Sequence, residues 1–182
     1  MDIFAHTLWA NAGARVINKK LEKKGKSLRL HTLWTAFWGV FPDLFAFSIP
    51  FAISIIGLIS GSISFDTISH HNLPNGFDLA HTLYQYSHSL VVWAGVFIVS
   101  WIVSKRPRWE LLGWALHILI DIPSHIIEFF PTPFLFPISD FKFAYGVSWG
   151  SQWYMIVNYV ALLATFLTLT FKRKTHKNKT VK

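Results

Sequence analysis

Long apolar segments, separated by short polar or basic ones, dominate the hydrophobic pattern of this 182-residue chain. A run of about 20 apolar residues is long enough to cross a bilayer as a helix. The pattern therefore predicts an all-α, polytopic membrane helical bundle with about five hydrophobic helices. The predicted helices cover residues 3–17, 31–60, 79–104, 109–130 and 149–171.

Two of the prolines inside these segments are expected to interrupt them. The residue before a proline avoids helical geometry, so we expect a break at Pro42-Asp43, between half-helices at 31–40 and 44–60. A broken helix at membrane depth is tolerated where it is buried in protein or lines a cavity. Pro123 predicts a kink near the far end of the fourth helix. The predicted organisation is one transmembrane helical domain, 1–171, followed by a basic tail, 172–182.

The positive charge is concentrated in a way that favours a lipid bilayer over nucleic acid as the partner. The formal net charge is +8, but sixteen of the 17 Lys and Arg residues fall within 15–29, 105–108 and 172–182. Basic clusters between apolar segments follow the positive-inside rule. We therefore expect an integral protein of a bacterial inner (plasma) membrane, with its basic loops and C-terminus in the cytoplasm. We predict no nucleic-acid partner, and the oligomeric state stays open.

The composition limits the ligands that a metal site can use. The chain has no Cys, 52% hydrophobic residues and only 14% charged residues, against about 25% charged residues in a typical soluble domain. Neither disulfides nor thiolate ligands are available. Any metal ion must be bound by imidazole and carboxylate groups.

One apolar helix bears a ladder of ionisable side chains. His117, Asp121 and His125 are spaced four residues apart, so they share one helical face, and Glu128 returns to the same face. Charged groups in apolar surroundings persist only with a partner or a cation. The ladder predicts a site in which Asp121, His125 and Glu128 act in catalysis.

Three other segments deliver similar groups to the same depth. At about 1.5 Å per helical residue, His6, Asp43, His88 and Asp121 all lie about 18–24 Å from the basic ends of their segments. We predict a metal site near mid-membrane, open toward the outer face beneath the 131–148 loop. The predicted metal ligands are His6, Asp43, His88, His117, Asp121 and His125.

Imidazole and carboxylate groups suit Zn²⁺ or a similar divalent ion, and six ligands allow one or two ions with Asp121 bridging. Such an ion activates water for attack on an ester or phosphoester. The sequence thus predicts a metal-dependent hydrolase acting on a small-molecule or lipid ester, since an amphiphile reaches a buried site most easily.

Five short motifs resemble those of the predicted membrane-bound metal-dependent hydrolases, and the resemblance covers most of the chain. The family is thought to be related to zinc-dependent phospholipases C and similar single-strand nucleases. The resemblance implies that Asp43, His88, His117 and Asp121 form one metal site, with His6 sharing Asp121 at a second. The motifs are Ala5-His6, Phe41-Pro42-Asp43, Tyr86-Ser87-His88-Ser89, His117 to Asp121 and Thr132 to Pro137.

Three other interpretations stay open at this level. Hydrogen bonds between helices account for buried histidines without any ion. A haem protein would use His88 and His117 as axial ligands. A proton or metal-ion transporter would use the same buried charges as a relay, although the chain shows no internal repeat.

Overall fold

The computed structural model of the protein describes residues 1–62 and 76–179, with side chains except at 76–77 and 172–179. These residues form six α-helices and no strand, which confirms the all-α prediction. A short 3₁₀ turn, Trp109–Leu111, precedes the fifth helix. The helices are α1 (Ile3–Lys23), α2 (Thr32–Ile59), α3 (Gly76–Ser87), α4 (Leu90–Ser104), α5 (Leu112–Ser124) and α6 (Gln152–Lys179).

Contacts along α1 define how the outer helices run. Asp2 accepts a hydrogen bond from the Tyr159 hydroxyl, and Lys19 donates one to the carbonyl of Leu169, so α1 and α6 run in the same direction. α2 runs the opposite way, since the Asn11 side chain contacts the start of α2. The end of α1, the start of α2 and the end of α6 therefore lie at one end of the bundle, where the basic stretches occur.

Two glycines allow α2 to pack tightly between α1 and α5. A Cβ atom at Gly39 would lie 2.3 Å from the Ala10 Cβ of α1, and one at Gly113 would lie 2.1 Å from the Thr35 carbonyl oxygen. Only glycine permits backbones to approach this closely. This close packing fixes the spacing between the side chains of α1, α2 and α5 that lie one helical turn beyond the glycine contacts.

Fewer helices can span a membrane than the sequence predicted. Within the described residues, Thr32–Ile59 and Gln152–Phe171 are long and apolar enough, and the bent pair Asp78–Ser87 and Leu90–Ser104 makes a third span if counted together. The prediction of about five spanning helices was wrong for two physical reasons. α1 is charged along its second half, and the 13 residues of α5 extend only about 20 Å, short of the roughly 30 Å hydrocarbon layer.

The bundle has an apolar exterior, and its interior includes ionisable side chains. Large hydrophobic side chains on the candidate spans are strongly exposed, among them Leu33 (71%), Val103 (76%) and Leu163 (62%). Six of the described histidine and aspartate side chains are buried instead: His6, Asp43, His88, His117, Asp121 and His125. This inverted pattern is typical of a protein whose surrounding solvent is lipid.

The predicted helix break at Pro42-Asp43 does not occur. α2 continues through Pro42 and Pro50 as one 28-residue helix, because its packing against α1, α3 and α5 outweighs the backbone hydrogen bond lost at each proline. The predicted 79–104 helix breaks instead. α3 ends at Ser87, α4 begins at Leu90, and the two are bent by 59°.

The predicted 109–130 helix is also shorter than expected. Pro123 does not kink a continuing helix, since α5 ends at Ser124 and His125 is extended, with φ −114° and ψ 145°. The carbonyls of Pro123 and Ser124 accept hydrogen bonds from Val147 (2.8 Å) and Trp149 (3.0 Å). These hydrogen bonds take the place of those that the next turn of α5 would have made to the same carbonyls.

Two predicted boundaries fall at the edge of the described residues. α6 extends to Lys179, so the 172–182 tail begins within a helix and not after it. Residues 180–182, and most of the 61–78 loop, lie outside the described part of the chain.

Candidate metal centre

Four buried side chains converge between α2, α5 and the break that joins α3 to α4. Asp43 comes from α2, His88 from the break, and His117 and Asp121 from successive turns of α5. One ligand atom of each residue lies within 4.8 Å of the others. The structure thus brings together four of the six residues that the sequence predicted as metal ligands.

The spacing of these atoms suits a tetrahedral cation. His88 Nε2 lies 3.0 Å from His117 Nε2 and 3.5 Å from both Asp43 Oδ1 and Asp121 Oδ2. His117 Nε2 lies 3.7 Å from Asp43 Oδ1 and 3.1 Å from Asp121 Oδ2. Ligands about 2.0–2.2 Å from a tetrahedral zinc ion lie about 3.3–3.6 Å from one another. The four atoms can therefore hold one ion with only small shifts.

Hydrogen bonds behind the two imidazoles orient them toward the centre. His117 Nδ1 lies 2.7 Å from the Gly39 carbonyl oxygen, and His88 Nδ1 lies 2.9 Å from Ser87 Oγ. A carbonyl only accepts, so Nδ1 of His117 bears the hydrogen and the neutral ring presents its Nε2 lone pair to the site. Such outer partners are typical of metal-binding histidines.

Some buried atoms of the cluster make no hydrogen bond within the described part of the chain. They include His6 Nε2 and Asp121 Oδ2. Polar atoms do lie near them, since Asp121 Oδ1 is 3.0 Å from His6 Nε2 and His117 Nε2 is 3.1 Å from Asp121 Oδ2. An unsatisfied buried polar atom costs about 1–3 kcal/mol, and a cation shared by these residues would satisfy these atoms.

The second carboxylate oxygen of Asp121 faces a different group of residues. Oδ1 lies 2.6 Å from the Met1 amino nitrogen, 3.0 Å from His6 Nε2 and 3.5 Å from His125 Nε2. The His6 ring also stacks on that of His117, with centroids 3.6 Å apart. Asp121 is thus placed between two sets of nitrogen ligands, as expected for a bridging carboxylate.

The catalytic role predicted for Glu128 required that α5 continue to residue 128, so that Glu128 would share a face with Asp121, but the helix ends earlier. His125 caps the end of α5 and still contacts Asp121, but Glu128 lies beyond the helix in an exposed turn. Glu128 is not among the residues whose ligand atoms converge. The early end of α5 explains the difference.

The centre is nearly closed to solvent. The Asp43 side chain is 11% exposed and that of His125 is 8%, whereas those of His6, His88 and His117 are fully buried. The 131–148 loop packs over the α3–α4 break, where the Leu90 N–H donates to the Phe134 carbonyl at 3.0 Å. Asp43 and His125 are the partly exposed members of the group, and we expect access to the centre on their side.

Sequence reasoning did not assign roles to three residues that support the cluster. Ser87 and the Gly39 carbonyl orient the imidazoles, and Tyr84 stacks on His88 with ring centroids 3.7 Å apart. Only Ser87 had a usable signal, since it directly precedes a histidine. The Gly39 contact depends on a backbone carbonyl and on helix packing, which sequence does not reveal.

Comparison of the chain with protein-family models, with curated proteins and with solved structures finds no match in any of the three.

Proposed function

We propose that this protein is a membrane-embedded, metal-dependent hydrolase of esters or phosphoesters, in line with the family resemblance of its motifs. The proposal rests on one observation, the convergence of one ligand atom each from Asp43, His88, His117 and Asp121 to within 4.8 Å of one another in a buried centre. Zinc is the ion that best suits two imidazoles and two carboxylates. The second set of nitrogen atoms around Asp121 allows a second ion.

The residues of the centre divide into holding, orienting and proton-transferring groups. Asp43, His88, His117 and Asp121 hold the ion, which when bound polarises the ester and lowers the pKa of a coordinated water molecule. The apolar surroundings exclude bulk water and so strengthen each electrostatic contact. His125, beside the partly open side, is placed to pass a proton to the leaving group, whereas Glu128 has no role in this proposal.

The same distances disfavour the haem alternative. An iron ion with two axial histidines lies at the centre of a flat macrocycle between the two rings. The Nε2 atoms of His88 and His117 are 3.0 Å apart, with a carboxylate oxygen within 3.7 Å of each. This spacing leaves no room for a macrocycle.

The metal content of the purified protein distinguishes the proposed metal site from a cluster held together by hydrogen bonds alone. We expect purified wild-type protein to bind one or two zinc ions per chain by elemental analysis, and Asp121→Asn and His88→Ala to lose them. Asp78→Asn and His81→Ala are the matched controls, because both residues are exposed and lie on α3, about three and two turns before His88. Metal retained in both centre variants would contradict the proposed site.

Activity separates a hydrolase from a metal carrier. We expect zinc-loaded protein to hydrolyse at least one substrate from a panel of phosphomonoesters, phosphodiesters and carboxylic esters, including lipid esters in vesicles. Asp43→Asn should abolish that activity, since Asp43 is the ligand nearest the open side. Zinc binding without hydrolysis, together with zinc flux into vesicles, would favour the transporter.

A further inference from the structure

A second cluster of charged side chains lies at the basic end of the bundle, away from the metal centre. Arg29, Arg106 and Arg108, from two distant loops, border a cavity of about 260 Å³ together with Trp109 and Glu110. The α1–α2 loop and the α4–α5 loop meet here. The Glu110 carboxylate joins them by accepting a hydrogen bond from the backbone of the first loop.

The three guanidinium groups are available to a ligand. Among described residues, Arg106 and Arg108 have no carboxylate within salt-bridge distance, and Arg29 has only an exposed 3.4 Å contact with Glu22. Exposed pairs of this kind contribute about 0–1 kcal/mol, so Arg29 exchanges partners readily. Guanidinium forks match the oxygens of phosphate, which makes a phosphate group the expected ligand.

An apolar groove adjoins this arginine pocket. It has a volume of about 460 Å³ and runs between α1 and α5, bordered by Val16, Leu112, Leu116 and Leu119. The two cavities lie close together along the chain, since Arg29 lines the pocket and the next residue, Leu30, lines the groove, while Glu110 lines the pocket and Leu112 lines the groove. A polar cavity beside an apolar one fits a ligand with an anionic head and a hydrocarbon chain.

We propose that an anionic phospholipid binds here, with its phosphate among Arg29, Arg106 and Arg108 and an acyl chain in the groove between α1 and α5. Free phosphate would use the pocket alone and leave the groove without an occupant. Basic pockets at the ends of membrane helices recognise anionic headgroups in this way. The inference requires that the chain lies in a bilayer, but it does not depend on the metal chemistry.

Native mass spectrometry of the detergent-solubilised protein tests the site by counting bound lipids. We expect phosphatidylglycerol to bind more tightly than phosphatidylcholine with the same acyl chains. Arg106→Gln should weaken phosphatidylglycerol binding about fivefold, and Arg106→Gln with Arg108→Gln about thirtyfold. Lys142→Gln is the charge-matched control, because Lys142 is exposed in the 131–148 loop and outside the pocket.

Two further measurements examine the groove and the lipid source. Gly13→Leu narrows the groove, because a Cβ atom at residue 13 already lies 3.4 Å from Leu116 Cδ2. It should weaken lipid binding while Arg106 and Arg108 stay intact. Inorganic phosphate at millimolar concentration should not displace the lipid. Displacement of the lipid by phosphate, or equal binding of phosphatidylglycerol and phosphatidylcholine, would overturn the proposal. Zinc content is measured in the same arginine variants, and an unchanged value would show that the lipid result is independent of the metal centre.

Discussion

His88 lies at the point where one helix ends and the next begins. Its backbone N–H still donates to the Tyr84 carbonyl of α3, while the Ser89 hydroxyl accepts from the first amides of α4. Between these two the chain turns, and the imidazole points inward to Asp43 and Asp121. His88 is therefore positioned by local capping as well as by the hydrogen bond between its ring and Ser87.

Ser87 should act on metal affinity through His88, without touching the ion. We predict that Ser87→Ala weakens zinc binding about 10–100-fold, because the imidazole loses the partner that fixes its orientation. Ser87→Thr, which keeps a hydroxyl, should restore most of the affinity. Competition with a chromophoric chelator measures the change. The control is Ser100→Ala, whose hydroxyl bonds only within α4, and equal losses in the two alanine variants would refute the orienting role.

Among the helices, α2 is the element on which the centre depends most. It packs against α1, α3 and α5, and it supplies both Asp43 and the Gly39 carbonyl that holds His117. Its two prolines do not divide it, because the neighbouring helices fix its path. The break that positions His88 lies instead between α3 and α4.

The close contact between α1 and α2 gives a prediction at this scale. Gly39→Ala should destabilise the protein by about 1–3 kcal/mol, because the new methyl group would overlap Ala10 and push α1 away. Gly95→Ala in α4 has open space around its Cβ position and should stabilise by about 0.5–1 kcal/mol. Thermal unfolding in detergent measures both. A rise in Tm for both variants would show that α1 and α2 are not in such close contact.

At the scale of the whole molecule, the short helix α5 packs alongside the longer helices. Its start lies beside the first half of α4, where Trp93 donates to the Leu111 carbonyl at 2.8 Å, and its end lies near the start of α6, where the Trp149 N–H donates to the Ser124 carbonyl. α5 alone is too short to cross a bilayer as a helix. After it, the extended His125 leads into a turn bridged at Ile126 and Phe129.

This path predicts the topology of the basic segments. Reporters inserted in the 105–108 loop and fused after residue 182 should lie on the same side of the membrane, with a reporter between residues 62 and 76 on the opposite side. The reason is that we expect α5 together with the residues 125–148 to cross once, and α6 to cross back. Accessibility to a membrane-impermeant reagent measures the sides. A C-terminal reporter on the side opposite the 105–108 loop would show that the chain after α5 turns back without crossing.

The sequence alone was sufficient for the helical class, the apolar exterior and a set of candidate residues that includes the four that converge. Periodic apolar runs require helices, and charged groups within them require partners, so His117 and Asp121 were recognisable from spacing on one helix. Asp43 and His88 were recognisable because their depth in separate segments matched. These are local properties of composition and rise per residue.

Only the tertiary structure decided where the helices break and which ligands meet. A proline disfavours a helix by one hydrogen bond, and neighbouring helices can offset that cost, as they do at Pro42. Conversely, α5 ends at Ser124 because Val147 and Trp149, distant in sequence, bond to its last carbonyls. Contacts between distant segments have no signature in a local sequence pattern. They place Asp121 between two sets of nitrogen atoms and leave Glu128 outside the cluster.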